Sequence, residues 1–346
     1  MELNNPLFKM TKEYFESYLP NKRKKSPMTV RTYRTAVNQY LDYLKDTNGV
    51  FLYQVTFDMI TRKSLEDFLL YIEQERNCSV STRNNRMCSI KAFMKFSASW
   101  EMSAAEQWND IQSMKKATQP TEPVEYMTVK AVNAVINQPD VSTRLGLRDM
   151  FIMLFLYQTG ARVQELCNVR VCDLHTDDSP YVRFFGKGSK YRDTPLRDKL
   201  MKHLGEYLRT FHPGTPKYSM DPLFYTVHKH QKTRMTEDNV RKLVCKYGKE
   251  ARKNESTIPE NLHPHTFRHS IAMHLYQSGV ALPLISQWLG HSRLETTLIY
   301  AYADTEQKLQ AIENAIPEDS TLKNHLNPKR FKIEDDEEVR RLHGLA

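Results

Sequence analysis

Between Ser113 and Pro123 the run SMKKATQPTEP loses apolar periodicity and carries two prolines, the signature of an interdomain linker, so the chain divides in two. A length of 346 residues agrees, being long for one domain. The boundaries read as a helical N-terminal domain over residues 1–112, a linker over 113–125, a second domain over 126–316 and a charged tail over 317–346. The expected fold class is mainly α with a small β-sheet, the sheet lying in an α+β second domain.

Helical signals dominate both halves. Ser26-Pro27 precedes VRTYRTAVNQYLDYL, where Val30, Tyr33, Val37, Tyr40, Leu41 and Leu44 recur at helical spacing. Ser64 opens LEDFLLYIEQE in the same way. Ser81 precedes TRNNRMCSIKAFMKF, whose Met87, Ile90, Phe93 and Met94 form an apolar stripe. After the linker, helices are predicted over Met127 to Ile136 and Arg148 to Gln158. A break follows at Thr159-Gly160, then a short helix near Arg162. YVRFF and YRDTPL flank the Gly-rich turn Gly186-Lys187-Gly188-Ser189, which predicts a β-hairpin. From Pro264 the chain is helical again, with Gly279 and Gly290 at C-cap positions and Pro283 in a first turn. Ser292-x-x-Glu295 is a capping-box candidate for TTLIYAYADTEQKLQAI.

Composition narrows the function classes. The formal net charge is +9, which points to a polyanionic partner. The five cysteines are an odd number without a CxxC pair, arguing for a reducing compartment and against a disulfide framework or zinc ribbon. MELNNPLFKM lacks the apolar core of a signal peptide. The longest apolar run, Met150 to Tyr157, is far short of the ~20 residues that span a bilayer. A cytoplasmic, nucleoid-associated protein without a membrane partner is expected.

Taken singly, the chemistry-bearing candidates have ordinary explanations. Arg162 suits a solvated helix start, and Lys187 a hairpin turn. His265 and Arg268, three apart, share a helix face. His291 sits beside a glycine cap, and Tyr300 falls in an amphipathic helix. Their combination differs. TGARVQEL, GKGSKYRDTPL, HPHTFRHSIAMHL, LGHS and TTLIYAY occur in one order across the second domain.

Box by box, these segments resemble the tyrosine recombinases of the phage-integrase and Xer type. The resemblance extends more weakly to SPMTVRTYRTAVNQYLDYL and STRNNRMCSIKAFMKF, which look like core-binding helices. It implies a metal-free and cofactor-free enzyme that cuts and rejoins DNA through a 3′-phosphotyrosyl bond. Arg162 and Arg268 would clamp the scissile phosphate. Lys187 would act as general acid, His265 as proton acceptor or hydrogen-bond partner, and His291 as a further transition-state donor. Tyr300 would be the nucleophile, and Glu165 a supporting residue that orients a neighbour. The front domain would be a core-binding domain, the second the catalytic domain, and the two would close on the duplex as a clamp. A mobile element or phage is the expected setting, alongside dimer resolution. The alternative is a catalytically silent DNA-binding accessory of the same fold.

Physical chemistry agrees with these roles. Attack on a phosphodiester places charge on non-bridging oxygens, which planar guanidinium forks can hold bidentately. A phenol of pKa ≈ 10 is ionised to only about a thousandth at pH 7, a deficit of about 4 kcal/mol, which a cationic cluster is suited to relieve. Tyr300 and Tyr302, two apart, point about 200° from each other on a helix, so only one faces the site. Tyr276 and Tyr302 read as packing residues. His265 and His269 have zinc-helix spacing, yet HExxH is absent and an arginine lies between them. His269 and His274 therefore read as packing or supporting residues.

For DNA contacts the front domain offers Lys24, Lys25, Arg31, Arg34, Arg83, Asn84, Arg86, Lys91 and Lys95. Arg83, Asn84, Asn85 and Arg86 near one helix start are the base-reading candidates, the others phosphate grips. Partners implied by the resemblance are double-stranded DNA bearing specific recombination sites and a tetramer on it, of this chain or with sister recombinases. The segment from Leu309 onward is a candidate for docking on a neighbouring subunit. An additional arm-binding domain is not expected.

Overall fold

A computed structural model describes residues 5–119, 124–186, 190–228, 231–291, 293–303 and 340–341. The chain forms two compact units, Met1–Thr121 and Glu122–Ala346. Lys187, Ser292 and nearly all of the tail from 317 lie outside the described residues, as does the segment from Leu309.

The front unit is helical throughout: α1 (Pro6–Glu13) runs into a π-helical stretch, Tyr14–Lys22, then come α2 (Pro27–Asn48), α3 (Arg62–Gln74), α4 (Val80–Ser97) and α5 (Met102–Ile111). Ser26 caps α2 by accepting from Thr29 N, with Pro27 at the first helical position. Two starts differ from expectation for capping reasons. Thr61 and Ser64 cap each other's backbone, so α3 begins at Arg62 rather than after Ser64. Ser79, not Ser81, accepts from Thr82 N, so α4 begins at Val80. Helices α2 and α4 pack together around Tyr14, Tyr40, Phe68, Phe93 and Met94, all buried. Burying each such side chain stabilises the unit by roughly 1.5–3 kcal/mol.

In the second unit α6 (Val129–Ile136) and α7 (Arg144–Thr159) precede the short α8 (Val163–Asn168). Helix α7 is apolar nearly all round and is buried accordingly, with Phe151, Ile152, Met153, Phe155 and Leu156 in the core. The predicted hairpin is present as β2 (Tyr181–Gly186) and β3 (Lys190–Pro195), antiparallel with Phe184 opposite Arg192. A two-residue β1 (Leu174–His175) completes the three-stranded sheet. A second hairpin, β4 (Tyr225–His228) with β5 (Gln231–Arg234), adds a sheet beyond the one expected. Helices α9 (Asp198–Phe211) and α10 (Glu237–Arg252) flank these strands in sequence, and α9 packs on α7.

The unit closes with α11 (Pro264–Gln277), α12 (Leu282–Leu289) and α13 (Glu295–Ala303). Helix α13 starts at Glu295, which places that carboxylate in the first helical position rather than the third that a box with Ser292 requires. No helix among the described residues is long and apolar enough to cross a membrane.

Candidate active site

Two helix C-termini organise the site. Helix α7 stops at Gly160 (φ 58°), where an added Cβ would stand 2.9 Å from Leu289 Cδ2. Helix α12 stops at Gly290 (φ 64°). Both stops need the left-handed conformation that glycine adopts without strain. The last carbonyls of a helix lack intrahelical donors and carry partial negative charge, so they suit guanidinium groups. Arginines fill that demand. Arg268 on α11, only 3% exposed, donates from Nη1 to Gly160 O and from Nη2 to Leu289 O, both at 2.6 Å. Arg162 donates from Nη2 to Gly290 O at 3.4 Å, and Arg192 on β3 donates from Nη1 to Trp288 O at 2.6 Å.

Glu165 ties Arg162 to Arg192. It is buried at the third position of α8, where Oε2 accepts from Arg162 N at 2.9 Å and Oε1 from Arg162 Nη1 at 2.8 Å. Arg192 Nη2 also donates to Oε2, at 2.8 Å. Burial pushes the Glu165 carboxyl up, but the two arginines overcome it and hold the group below the usual carboxylate range. Three guanidiniums against one carboxylate leave two positive charges, so the place is built for an anion. Arg268 registers this: burial first, then Arg162 and Arg192, push its pKa down to about 9. Each guanidinium has five N–H donors. Arg162 and Arg268 each commit two of their side-chain donors among the described residues, leaving the rest for a ligand.

Histidines and the phenol complete the cluster. His291 follows Gly290, and its Nδ1 lies 2.8 Å from Thr297 Oγ1 on α13. Tyr300, on the same helix, is 1% exposed, and its hydroxyl lies 3.0 Å from His269 Nδ1. Burial raises the Tyr300 pKa, while Arg268 and Arg162 pull it down. Burial prevails, so the cationic cluster relieves only part of the phenol's ionisation deficit, less than the sequence led one to expect. Desolvation, followed by His265 and Arg268 for His269 and by Arg268 and Arg162 for His291, brings both to about 4. His265 is exposed on α11 and shifts in the same direction, through desolvation and then Arg268 and His263.

Of the residues singled out by sequence, Arg162, Glu165, His265, Arg268, His291 and Tyr300 thus come together, and Lys187 lies outside the described residues. Tyr276 packs against the cluster of Ala272, Ile285 and Leu289, and His274 Nδ1 lies 2.8 Å from Tyr157 Oη. Two members went unanticipated. Arg192 alternates with exposed Tyr191 and Asp193 on a strand whose next inward residue, Thr194, is buried. An inward arginine in such a strand is itself a signal of a buried ion pair. His269, read as a packing or supporting residue, is in fact the hydrogen-bond partner of Tyr300, a specific contact its spacing did not name.

In the front unit the basic residues separate into two groups. Lys24, Lys25, Arg31, Arg34 and Lys95 are exposed, and Lys25, Arg31 and Arg34 line one open concavity with Val30 and Asn38. Others are engaged within the unit. Arg83 pairs with Glu73 at 3.2 Å. Asn84 exchanges two hydrogen bonds with the Ala117 backbone. Lys91 donates to Gln112 O and Met114 O at 2.7 and 2.8 Å. Arg86 is half-buried. Asn84 and Lys91 therefore brace the segment leaving α5, and the first residues of the expected linker are held to the front unit.

Comparison with known proteins extends the geometry. Residues 12–100 match the N-terminal SAM-like domain of phage integrases, and residues 125–307 match the phage integrase family. Tyrosine recombinase XerD of Oceanobacillus iheyensis is 29% identical over 292 residues, covering 84% of this chain and 92% of the relative. Tyrosine recombinase XerC of Chlamydia caviae is 27% identical over 316 residues, covering 88% and 97%. The XerH site-specific recombinase bound to its difH substrate shares the fold with a TM-score of 0.63 at 20% identity, over 87% of this chain and 84% of that one. The Tn1549 transposon integrase bound to circular intermediate DNA does so with a TM-score of 0.62 at 17% identity, over 90% and 99%. With the family model matched across more than half of its length, the chain belongs to the phage integrase family, the tyrosine recombinases.

Proposed function

We propose that this chain cuts and rejoins DNA at specific sites through a 3′-phosphotyrosyl bond to Tyr300. The observation that carries this is the meeting of a single buried phenol with Arg162, Arg268 and His291 in a net positive site. The spare donors of Arg162 and Arg268 bind the non-bridging oxygens of the scissile phosphate, and they bind them more strongly as charge grows during attack. His291, whose Nδ1 lies 2.8 Å from Thr297 Oγ1, offers a further donor from Nε2 in the tautomer that lets Thr297 donate to Nδ1. His265, exposed beside the clamp, supplies another hydrogen bond. Glu165 and Arg192 touch no phosphate in this scheme; they hold Arg162 in place. Lys187, between β2 and β3 in sequence, protonates the leaving 5′ oxygen.

The exposed cations Lys24, Lys25, Arg31, Arg34 and Lys95 grip phosphates of the flanking duplex. Exchange between two duplexes requires four cleavages, which suits a tetramer of this chain or one shared with sister recombinases. Attack on phosphorus is indifferent to whether the duplex belongs to a mobile element, a phage or a chromosome dimer. The mobile-element setting is tested by inverted repeats or sister recombinase genes beside its own gene.

The test uses duplexes selected from a random library by binding to the chain, nicked so that the cut fragment diffuses away. With EDTA present, a covalent adduct is expected for the wild type and none for Tyr300→Phe. Persistence in Tyr300→Phe refutes the nucleophile, and loss on chelation refutes a metal-free reaction. The near-complete burial of Tyr300 favours a second reading, a catalytically silent DNA-binding protein. That reading requires binding without any adduct.

A further inference from the structure

A phenol buried as Tyr300 is does not ionise before it attacks, so its proton must leave as the bond to phosphorus forms. Three imidazoles stand near enough to consider. His291 has Nδ1 engaged by Thr297. His265 is exposed, with its ring centroid 6.4 Å from that of His269. His269 lies between that ring and the phenol: its Nδ1 is 3.0 Å from Tyr300 Oη, and the two rings meet at 5.9 Å and 58°. Among the described residues it is the hydroxyl's one hydrogen-bond partner.

We propose that His269, rather than His265, accepts the phenolic proton of Tyr300 during attack, an assignment that rests on Tyr300 being the nucleophile. The Oη–H bond breaks and its proton passes to Nδ1. The Oη–P bond forms, the bond from phosphorus to the 5′ oxygen breaks, and the general acid protonates that oxygen. On rejoining, an incoming 5′ hydroxyl gives its proton back to the deprotonated general acid as its oxygen bonds to phosphorus, the Oη–P bond breaks, and the released phenolate recovers its proton from His269. The acceptor is available across the working range, because burial and then His265, Arg268 and His263 keep His269 neutral, with a pKa near 4. His291 faces the same ring. These neighbours disfavour an imidazolium, and a phosphate lying against Arg162 and Arg268 adds the negative charge that offsets them. Its position on α11 suits the role, since His269 follows Arg268 directly and one helix delivers both the clamp and the acceptor.

A residue that merely aimed the phenol would sit in the same place, so the test must separate aiming from proton transfer. Glutamine accepts a hydrogen bond from the phenol but not its proton. Single-turnover cleavage of the nicked duplex is measured with the full chain for wild type, His269→Gln, His269→Ala and Tyr300→Phe between pH 6 and 9. Both His269 variants are expected to cleave roughly 10²-fold slower at pH 7. The deficit shrinks by about tenfold per pH unit as hydroxide replaces the missing base. It persists on a duplex whose scissile 5′ oxygen is replaced by sulfur, which leaves without a proton, whereas the loss in Lys187→Ala is repaired there. Wild-type rates in His269→Gln, a deficit unchanged by pH, or repair by sulfur would each overturn the proposal. Thermal melting and DNA binding check that the variants fold; should His269→Ala fail, the near-isosteric His269→Gln decides. An adduct in Tyr300→Phe overturns the nucleophile itself, a separate outcome.

Discussion

Replacing Glu165 with glutamine removes the one negative charge between two guanidiniums while keeping the side chain's shape. Its partners differ in exposure: Arg192 is 9% exposed and Arg162 30%, against 4% for Glu165 itself. Removing one partner of a buried ion pair costs about 3–5 kcal/mol, because the survivor is left buried and uncompensated. The half facing Arg162 is better solvated and adds about 0.2–1 kcal/mol. Glutamine still offers an amide oxygen to Arg192, which also keeps Thr194 Oγ1 and Trp288 O. The expected cost therefore falls at the lower end, about 3 kcal/mol. With a urea m value of about 2 kcal/mol/M, the midpoint drops by about 1.5 M. Trp288, whose indole donates to Thr159 O in this unit, reports the transition once Trp100 and Trp108 of the front unit are changed to phenylalanine. Arg192→Met in the Glu165→Gln background should cost at least about 2 kcal/mol less than in the wild type, since both buried charges are then gone. A Glu165→Gln cost below about 1 kcal/mol, or simple additivity of the two changes, refutes the bridge.

Four further outcomes follow, two from the site and two from the front unit. Gly290→Ala places a methyl 2.6 Å from Arg192 Cδ at a φ of +64°, so it should cost more than about 1 kcal/mol in the same titration and slow cleavage by shifting the carbonyls that hold Arg162 and Arg268. His269 and His291 have folded pKa values lowered from 6.5 to about 4, so the folded chain binds fewer protons than the unfolded one; the urea midpoint should be level above pH 6.5, fall towards pH 4, and fall less in His269→Gln. In the front unit Lys91→Met should lose about 1 kcal/mol of stability with its two carbonyl bonds. Arg31→Ala should leave stability within about 0.5 kcal/mol and reduce the salt dependence of DNA binding, followed by anisotropy, by about one counterion.

Local chemistry made much of this legible. Ser26-Pro27, Gly160 and Gly290 mark their boundaries because capping and left-handed glycine are decided within a few residues. Where two candidate caps lie close, as Ser79 and Ser81 or Thr61 and Ser64 do, the choice depends on which hydroxyl meets the first free N–H, and periodicity does not say. Helix α9 has Leu200, Leu204, Tyr207 and Phe211 at helical spacing, a periodicity legible in the sequence that carries packing and no chemistry. The composition of the site was legible as ordered boxes, its internal wiring was not. Arg192 joins Glu165 across 27 residues and His269 joins Tyr300 across 31, contacts set by how the elements pack rather than by spacing along any one of them. The front unit shows the converse: a basic helix face looks uniformly available in sequence, while packing commits Lys91, Asn84 and Arg83 to neighbours and leaves Arg31 and Lys95 exposed.

Locating the bond to DNA tests the central claim most directly. After cleavage of the nicked duplex and digestion of the DNA, trypsin should release LETTLIYAYADTEQK, which carries Tyr300 and Tyr302 together. Fragmentation in the mass spectrometer is expected to place the nucleotide phosphate on Tyr300. A phosphate on Tyr302, on Tyr276 or on no tyrosine of the chain would contradict it.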